Sequence, residues 1–159
     1  MIKASKPFDI DLTAVDWAKS GDFLVVGDRN GYIYSVDVNT MNKMGSAKAA
    51  LADQKNAWIE DLKIAPNSQI VVFGTHGGLS KVDLVKIQDS GKKLVKIASV
   101  NLGISSAITH LDWSLDSNSI VLNSQAYELM WLDVNSQTRI NASGAKSIDY
   151  YTWTSVLGF

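Results

Sequence analysis

Residues 109–134, THLDWSLDSNSIVLNSQAYELMWLDV, place a Trp two residues after a Leu, then a polar turn, an apolar run, a second turn and a closing Leu-Asp-Val. Residues 13–38, TAVDWAKSGDFLVVGDRNGYIYSVDV, follow the same order near the start of the chain. A domain built on one core has no need to repeat itself, so self-similarity at a long period points to stacked units. Aligned on apolar positions, Leu12, Val15 and Trp17 match Ile59, Leu62 and Ile64, and then Ile108, Leu111 and Trp113, each time at i, i+3 and i+5. The steps from Trp17 to Ile64 and from Ile64 to Trp113 are 47 and 49 residues, and the closing dipeptides Val36-Asp37, Val82-Asp83 and Leu132-Asp133 recur at 46 and 50. Two landmarks keeping one period argue against chance.

Between the landmarks each unit carries a polar turn (AKSGD, APNSQ, SLDSN), a β-branched or apolar run (FLVVG, IVVFG, IVLNS), a second turn and another short run. β-branched and apolar residues suit strands, and Gly, Asn, Asp and Pro suit turns. The segments VNTMNKMGSAKAA, VKIQDSGKKLVKIAS and VNSQTRINAS then hold a fourth, outer strand. Four short strands in about 45 to 50 residues make one blade of a β-propeller. A blade lies between neighbours, so its inner strands are buried on both faces and read as unbroken apolar runs. A parallel α/β sheet would require helical crossovers of a dozen residues or more, and these gaps are only turns. The expectation is an all-β chain forming a partial propeller, with four-stranded antiparallel blades at about 8–56, 57–104 and 105–146, and the first strand of a fourth at 147–159. Trp17, Ile64 and Trp113 are expected at equivalent buried positions. The Ala-rich stretch Ser46 to Trp58 is expected to be a loop with at most a turn or two of helix.

Composition narrows the function. The 159 residues are 46% hydrophobic and 19% charged with a net charge of -1, so bulk charge gives no sign of nucleic acid or an anionic membrane as partner. There is no cysteine, hence no disulfide and no thiolate metal site, and MIKASKPFDIDL has no signal-peptide core. No apolar run approaches the roughly 18 residues of a membrane helix. A cytoplasmic location is the expectation.

Catalytic and metal chemistry find little to rest on. His76 and His110 are the two imidazoles, and a metal would need Glu60, Asp61 or Asp112 to complete its shell, so they read better as structural or loop histidines. Glu60 and Asp61 are consecutive strand residues that point to opposite faces, so they do not converge as an acid and base. THGG lacks the Lys and helix of a phosphate loop. An enzyme at the propeller channel would draw mainly on Thr13, Asp16, Lys63, Thr109 and Asp112. The reading is therefore a non-enzymatic scaffold without cofactor or metal. Two surfaces are candidates for a partner. The second turn of each blade and the start of its innermost strand emerge on one face, gathering Arg29, Asn30, Trp58, Glu60, His76, Thr109, His110, Tyr127 and Glu128. Lys86, Lys92, Lys93 and Lys96 lie on an outer hairpin, suited to an acidic partner or to keeping an edge strand from pairing.

The repeat with its Asp-terminated third strand resembles the WD-repeat superfamily. The text SAITHLDWSLDSNSIVLNSQAYELMWLDV followed by SIDYYTWTSVLGF resembles the echinoderm microtubule-associated protein-like family in particular. The family's pattern runs through Ile108 to Trp113, Asp116-Ser117, Asn123-Ser124, Tyr127-Glu128, Trp131, Asp133 and Val156-Leu157-Gly158-Phe159, with Gln125-Ala126 standing where the family usually has Gly-Asp and Tyr150-Tyr151 in place of Trp-Ala. The resemblance implies a place in the second of two fused propellers, tubulin or microtubules as partner, and a cytoskeletal location. A propeller scaffold with a non-tubulin partner is the alternative. Three blades do not close a ring. The missing blades are expected from the same longer chain or from another copy, leaving apolar faces open at both ends of this one.

Overall fold

The computed structural model describes residues 8–77 and 81–157, and in it the three repeats are three four-stranded antiparallel sheets. The first holds β1 (Leu12–Trp17), β2 (Phe23–Asp28), β3 (Tyr32–Asp37) and β4 (Lys43–Lys48); the second β5 (Ile59–Ile64), β6 (Ile70–Thr75), β7 (Val82–Gln88) and β8 (Lys93–Val100); the third β9 (Ile108–Trp113), β10 (Ser119–Ser124), β11 (Leu129–Asp133) and β12 (Thr138–Ile140). In each sheet the strands lie in chain order, as hairpin connections require. Among the described residues the helical elements are α1 (Ala142–Ala145) and a three-residue turn at Asp89–Gly91. The stretch from Ser46 to Trp58 finishes β4 and continues as turns. This is a WD-repeat propeller arc of three blades, with β1, β5 and β9 side by side on its inner edge and the ring open.

The core lies between the blades. Val25, Ile33, Ile59, Leu62, Ile64 and Phe73 fill the joint between blades 1 and 2. Val72, Leu84, Leu111, Trp113, Ile120 and Leu122 fill the joint between blades 2 and 3. Strand faces explain the division. The face of each blade turned toward the next carries one alternate set of residues, and the face turned back carries the other. Two glycines set how closely blades approach. A Cβ on Gly27 would lie 2.6 Å from Ile59, and one on Gly74 would lie 2.7 Å from Ile108, so each glycine clears a notch for the first residue of the next inner strand. Asn123 holds the same register position in blade 3, and its side chain instead accepts from the Leu157 N–H at 3.0 Å.

Three expectations are corrected. Trp17, Ile64 and Trp113 do end β1, β5 and β9 in the same register, but Trp17 is 54% exposed whereas Ile64 and Trp113 are buried. The reason is directional: this position faces the preceding blade, as when Trp113 Nε1 donates to the Lys63 carbonyl of blade 2 at 2.9 Å, and blade 1 is the first of the arc. The closing dipeptide fails in blade 2. Val36-Asp37 and Leu132-Asp133 end their strands, whereas Val82-Asp83 begins β7, and the pairing partner of Ile70 is Lys86. Seven residues separate the paired Gly74 and Val82, against five between Gly27 and Ile33 and five between Asn123 and Leu129. That turn is two residues longer than its counterparts, and Asp83 lies three positions before Lys86, the register counterpart of Asp37. Finally, residues 147–157 form no strand beyond an isolated bridge from Tyr150 to Ser114; Gly158 and Phe159 lie outside the described residues.

The notch argument gives a direct test. Gly74→Ala forces Ile108 or the blade spacing to shift, and is expected to cost about 1–3 kcal/mol in urea unfolding. An unchanged midpoint would show that the blades do not meet as closely as described.

Candidate functional site

The inner strands form the exposed edge of each sheet, and their outward N–H groups need acceptors. Carboxylates of the preceding blade provide them. Asp16 of blade 1 accepts from the Ile64 N–H at 2.7 Å, and Asp61 of blade 2 accepts from the Leu111 N–H at 2.8 Å. Asp112 of blade 3 is fully buried and accepts from the N–H groups of Thr154 and Ser155 at 2.8 and 2.6 Å, and from the hydroxyls of Thr152 and Thr154. The segment after α1 is thus held on blade 3 by the kind of contact that holds blades 2 and 3 on their predecessors. Burial raises the Asp16 carboxyl above its ordinary range, partly offset by its backbone bonds and Lys63. Burial likewise raises Asp61, with Lys63 at 3.5 Å and the Leu111 N–H pulling the other way.

These joints consume the groups an enzyme in the channel would have needed. Thr13 and Thr109 donate to the carbonyls of Gly27 and Asn123, Lys63 pairs with Asp61, and Asp16 and Asp112 hold the next element's backbone. Glu60 and Asp61 diverge as their alternation requires: Asp61 turns to blade 3 and Glu60 to the upper face.

On that face three of the sequence-predicted residues converge. Trp58 stacks on His76 with ring centroids 4.0 Å apart and 18° between planes. Glu60 Oε2 accepts from Trp58 Nε1 at 2.7 Å and bonds His76 Nδ1 at 2.9 Å. The others occupy separate places along the arc. Arg29 pairs with Asp11 at 3.3 Å, both exposed. The Asn30 N–H donates to buried Asp28 at 2.9 Å and its carbonyl takes the Asp53 N–H. His110 is half-buried at the start of β9. Glu128 accepts from the Ser105 and Ser124 hydroxyls at 2.9 and 2.5 Å, and these bonds, Ser124 foremost, lower its carboxyl. They brace the turn that presents Tyr127, which is 85% exposed at φ 59. With Gln125-Ala126 in this turn, the left-handed residue is the tyrosine itself, a conformation that favours glycine.

The lysines of the β7–β8 hairpin divide. Lys86, Lys92 and Lys93 are exposed, near the end of the blade opposite the upper face. Lys96 reaches inward, 2.7 Å from buried Asp83 and 3.3 Å from the Lys48 carbonyl, and so helps bind blade 2 to blade 1. Asp83 also accepts from the Ala50 N–H of the connecting loop at 2.9 Å. On blade 1 Lys43 lies over Phe8 and Tyr34, 4.1 and 4.6 Å from the ring centroids, and burial with Asp28 beside it pushes the Tyr34 hydroxyl up to about 12. The joint carboxylates, Asn123 and the Asp83–Lys96 pair were not singled out by the sequence as joint-forming residues. The Asp-Trp pair shared by Asp16-Trp17 and Asp112-Trp113 was the available signal for two of them.

No family model matches the chain. It is similar to Echinoderm microtubule-associated protein-like 4 of Mus musculus, 28% identical over 91% of this chain and 14% of that protein. It is 30% identical to Echinoderm microtubule-associated protein-like 2 of Rattus norvegicus over 88% of this chain and 20% of that protein. Echinoderm microtubule-associated protein-like 1 of Rattus norvegicus matches at 26% over 88% of this chain and 16% of its own length. The chain therefore spans between a seventh and a fifth of these relatives.

The raised carboxyls fix a sign for acid behaviour. Asp61 holds its proton to higher pH in the folded than in the unfolded chain, so its linkage favours folding below the unfolded value of 3.8 and fades as pH rises through the folded one. Asp61→Asn removes that linkage. The parent should therefore gain stability relative to the variant when urea unfolding is moved from pH 7 to about pH 4.5. A gain for the variant on acidification would contradict the assignment.

Proposed function

We propose that this echinoderm microtubule-associated protein-like WD-repeat region is a non-enzymatic cytoplasmic scaffold that associates with microtubules, and that its contact with tubulin runs along the basic outer rim. The observation that carries the scaffold reading is the use of the inner-strand polar groups in the blade joints, which leaves no convergent acid, base or nucleophile set open to a substrate among the described residues. The partner follows from the names of the relatives.

Charge favours the rim over the upper face. The adjacent outer strands β4 and β8, KMGSAK and KLVKIASV, contain four lysines and no carboxylate, and exposed Lys86 and Lys92 extend the same edge. Only Lys96 of this group is neutralised by an ion pair with Asp83. The upper face carries Glu60, Glu128, Asp11 and Asp53, which oppose an acidic surface such as that of a microtubule. A second protein partner fits the upper face better, since a braced turn in a left-handed conformation holds Tyr127 in solvent.

Co-sedimentation of the chain with microtubules at rising salt tests the rim. The Lys92→Glu, Lys93→Glu double variant is expected to bind several-fold more weakly and with a shallower salt dependence, while its unfolding free energy stays within about 0.5 kcal/mol. Binding that is unchanged by both substitutions would remove the rim as the contact.

A further inference from the structure

The β2–β3 turn holds the one Asn-Gly pair of the chain, Asn30-Gly31. The fold requires its glycine. Gly31 has φ +87, and a Cβ there would lie 2.7 Å from the Ala57 carbonyl oxygen of the loop joining blades 1 and 2. No side chain therefore shields the Gly31 nitrogen from the amide of the residue before it. Its N–H is weakly engaged, donating to the Asp28 carbonyl at 3.4 Å. Asn30 is exposed, and among the described residues its side-chain amide has no hydrogen-bond partner. The asparagines that precede serine are tied by comparison. The Asn67 and Asn123 side-chain oxygens accept the Gln69 and Leu157 N–H groups at 2.9 and 3.0 Å, and the Asn118 and Asn135 side-chain amides donate to Asp116 and Asn118 at 2.9 and 3.3 Å.

We propose that Asn30 is a site of spontaneous covalent modification, where the Gly31 nitrogen closes a succinimide ring on the Asn30 side chain and water opens it to aspartate or isoaspartate. The Gly31 nitrogen attacks Asn30 Cγ as it gives up its proton. The N–Cγ bond forms, the Cγ–Nδ2 bond breaks, and ammonia leaves with that proton. Water then cleaves one of the two imide C–N bonds. Cleavage at Cγ restores the main chain with an aspartate, whereas cleavage at the former Asn30 carbonyl routes the chain through Cβ and Cγ as isoaspartate. Water is the only co-reactant, and nothing is oxidised or reduced. Either product adds a carboxylate to a turn that already bonds Asp28 and Asp53. Isoaspartate also lengthens the main chain by one carbon, in a turn that is pinned on both sides. Asp28 Oδ1 accepts the Asn30 and Tyr32 N–H groups at 2.9 Å each, and the Asn30 and Gly31 carbonyls accept the Asp53 and Ala49 N–H groups at 2.9 and 2.8 Å. A longer turn cannot keep all of these bonds, so the isoaspartyl product frees the loop between blades 1 and 2 from the top of blade 1. The inference does not depend on the microtubule reading.

Peptide mapping by mass spectrometry of the folded chain, held at about pH 8.5 and about 37 °C for about three weeks, reads the outcome. The fragment carrying Asn30 should gain the mass of water less that of ammonia in most molecules, with isoaspartate the larger product. At about pH 6, where base to take the Gly31 proton is scarce, the gain should be at least about tenfold slower. Repeating the incubation in guanidinium chloride separates sequence from structure. Unfolding should speed the reaction at Asn30 by less than about tenfold, and at Asn67, Asn118, Asn123 and Asn135 by more. Asn30→Gln should abolish the reaction, since the longer side chain would have to close a larger ring. In the isoaspartyl chain the Tyr32, Ala49 and Asp53 amides should exchange hydrogen at least about tenfold faster, whereas Asn30→Asp, which adds the charge alone, should leave them protected. An Asn30 left intact in the folded chain, or slowed on folding as much as the asparagines that precede serine, would overturn the site. Unchanged exchange at the three amides of the isoaspartyl chain would overturn the release of the loop.

Discussion

The innermost strand of every blade is the free edge of its sheet, and its backbone N–H groups point at the neighbouring blade with no strand to receive them. The carboxylates of Asp16 and Asp61 meet that demand for blades 2 and 3, and Asp112 serves the backbone of Thr154 and Ser155 in the same manner. The same bond does two things. It satisfies a donor that would otherwise be stranded in a low-dielectric joint, and it sets the spacing at which Ile59 fits over Gly27 and Ile108 over Gly74. The apolar cores then fill the space so defined, with Phe73 and Trp113 fully enclosed. Outer strands add a second fastening at larger radius, where Lys96 joins Asp83 to the backbone of β4.

This arrangement separates what holds the arc together from what it can offer to others. Inner-strand carboxylates are engaged in the joints, whereas the upper-face turns and the outer rim present exposed side chains such as Tyr127, Lys92 and Lys93. These differ in chemistry. Trp58, Glu60 and His76 form one hydrogen-bonded and stacked group at the upper end of blade 2, Tyr127 stands exposed on its braced turn, and Lys86, Lys92 and Lys93 are exposed on the β7–β8 hairpin. An acidic partner and an apolar one would therefore choose different parts of the surface.

Much of the fold was legible because a blade repeats its apolar register. Leu12, Val15 and Trp17 predicted the inner strands of all three units, and the turns between apolar runs predicted the hairpins. What the sequence hid was direction and context. Nothing in the letters tells that the Trp17 position faces the preceding blade, so its exposure in blade 1 became visible only once the arc was assembled. The β6–β7 turn is two residues longer than its counterparts, and Asp83 stands near the start of β7, three positions before the counterpart of Asp37, where it serves Lys96 and the Ala50 N–H. Of the upper-face residues, Trp58, Glu60 and His76 were predicted to share a surface and do share hydrogen bonds. Asp61 read only as a strand residue that does not converge with Glu60, because its acceptor role depends on a backbone N–H fifty residues away.

The central claim is that inter-blade carboxylates hold the edge N–H groups of the inner strands. Native-state hydrogen exchange at the Ile64 and Leu111 amides tests it most directly. Both are expected to be protected to the same degree as ladder amides in the centres of β6 and β10, and Asp16→Ala or Asp61→Ala should release the one amide that each carboxylate serves. Exchange of Ile64 and Leu111 in the parent chain at the rate of exposed loop amides would contradict the account.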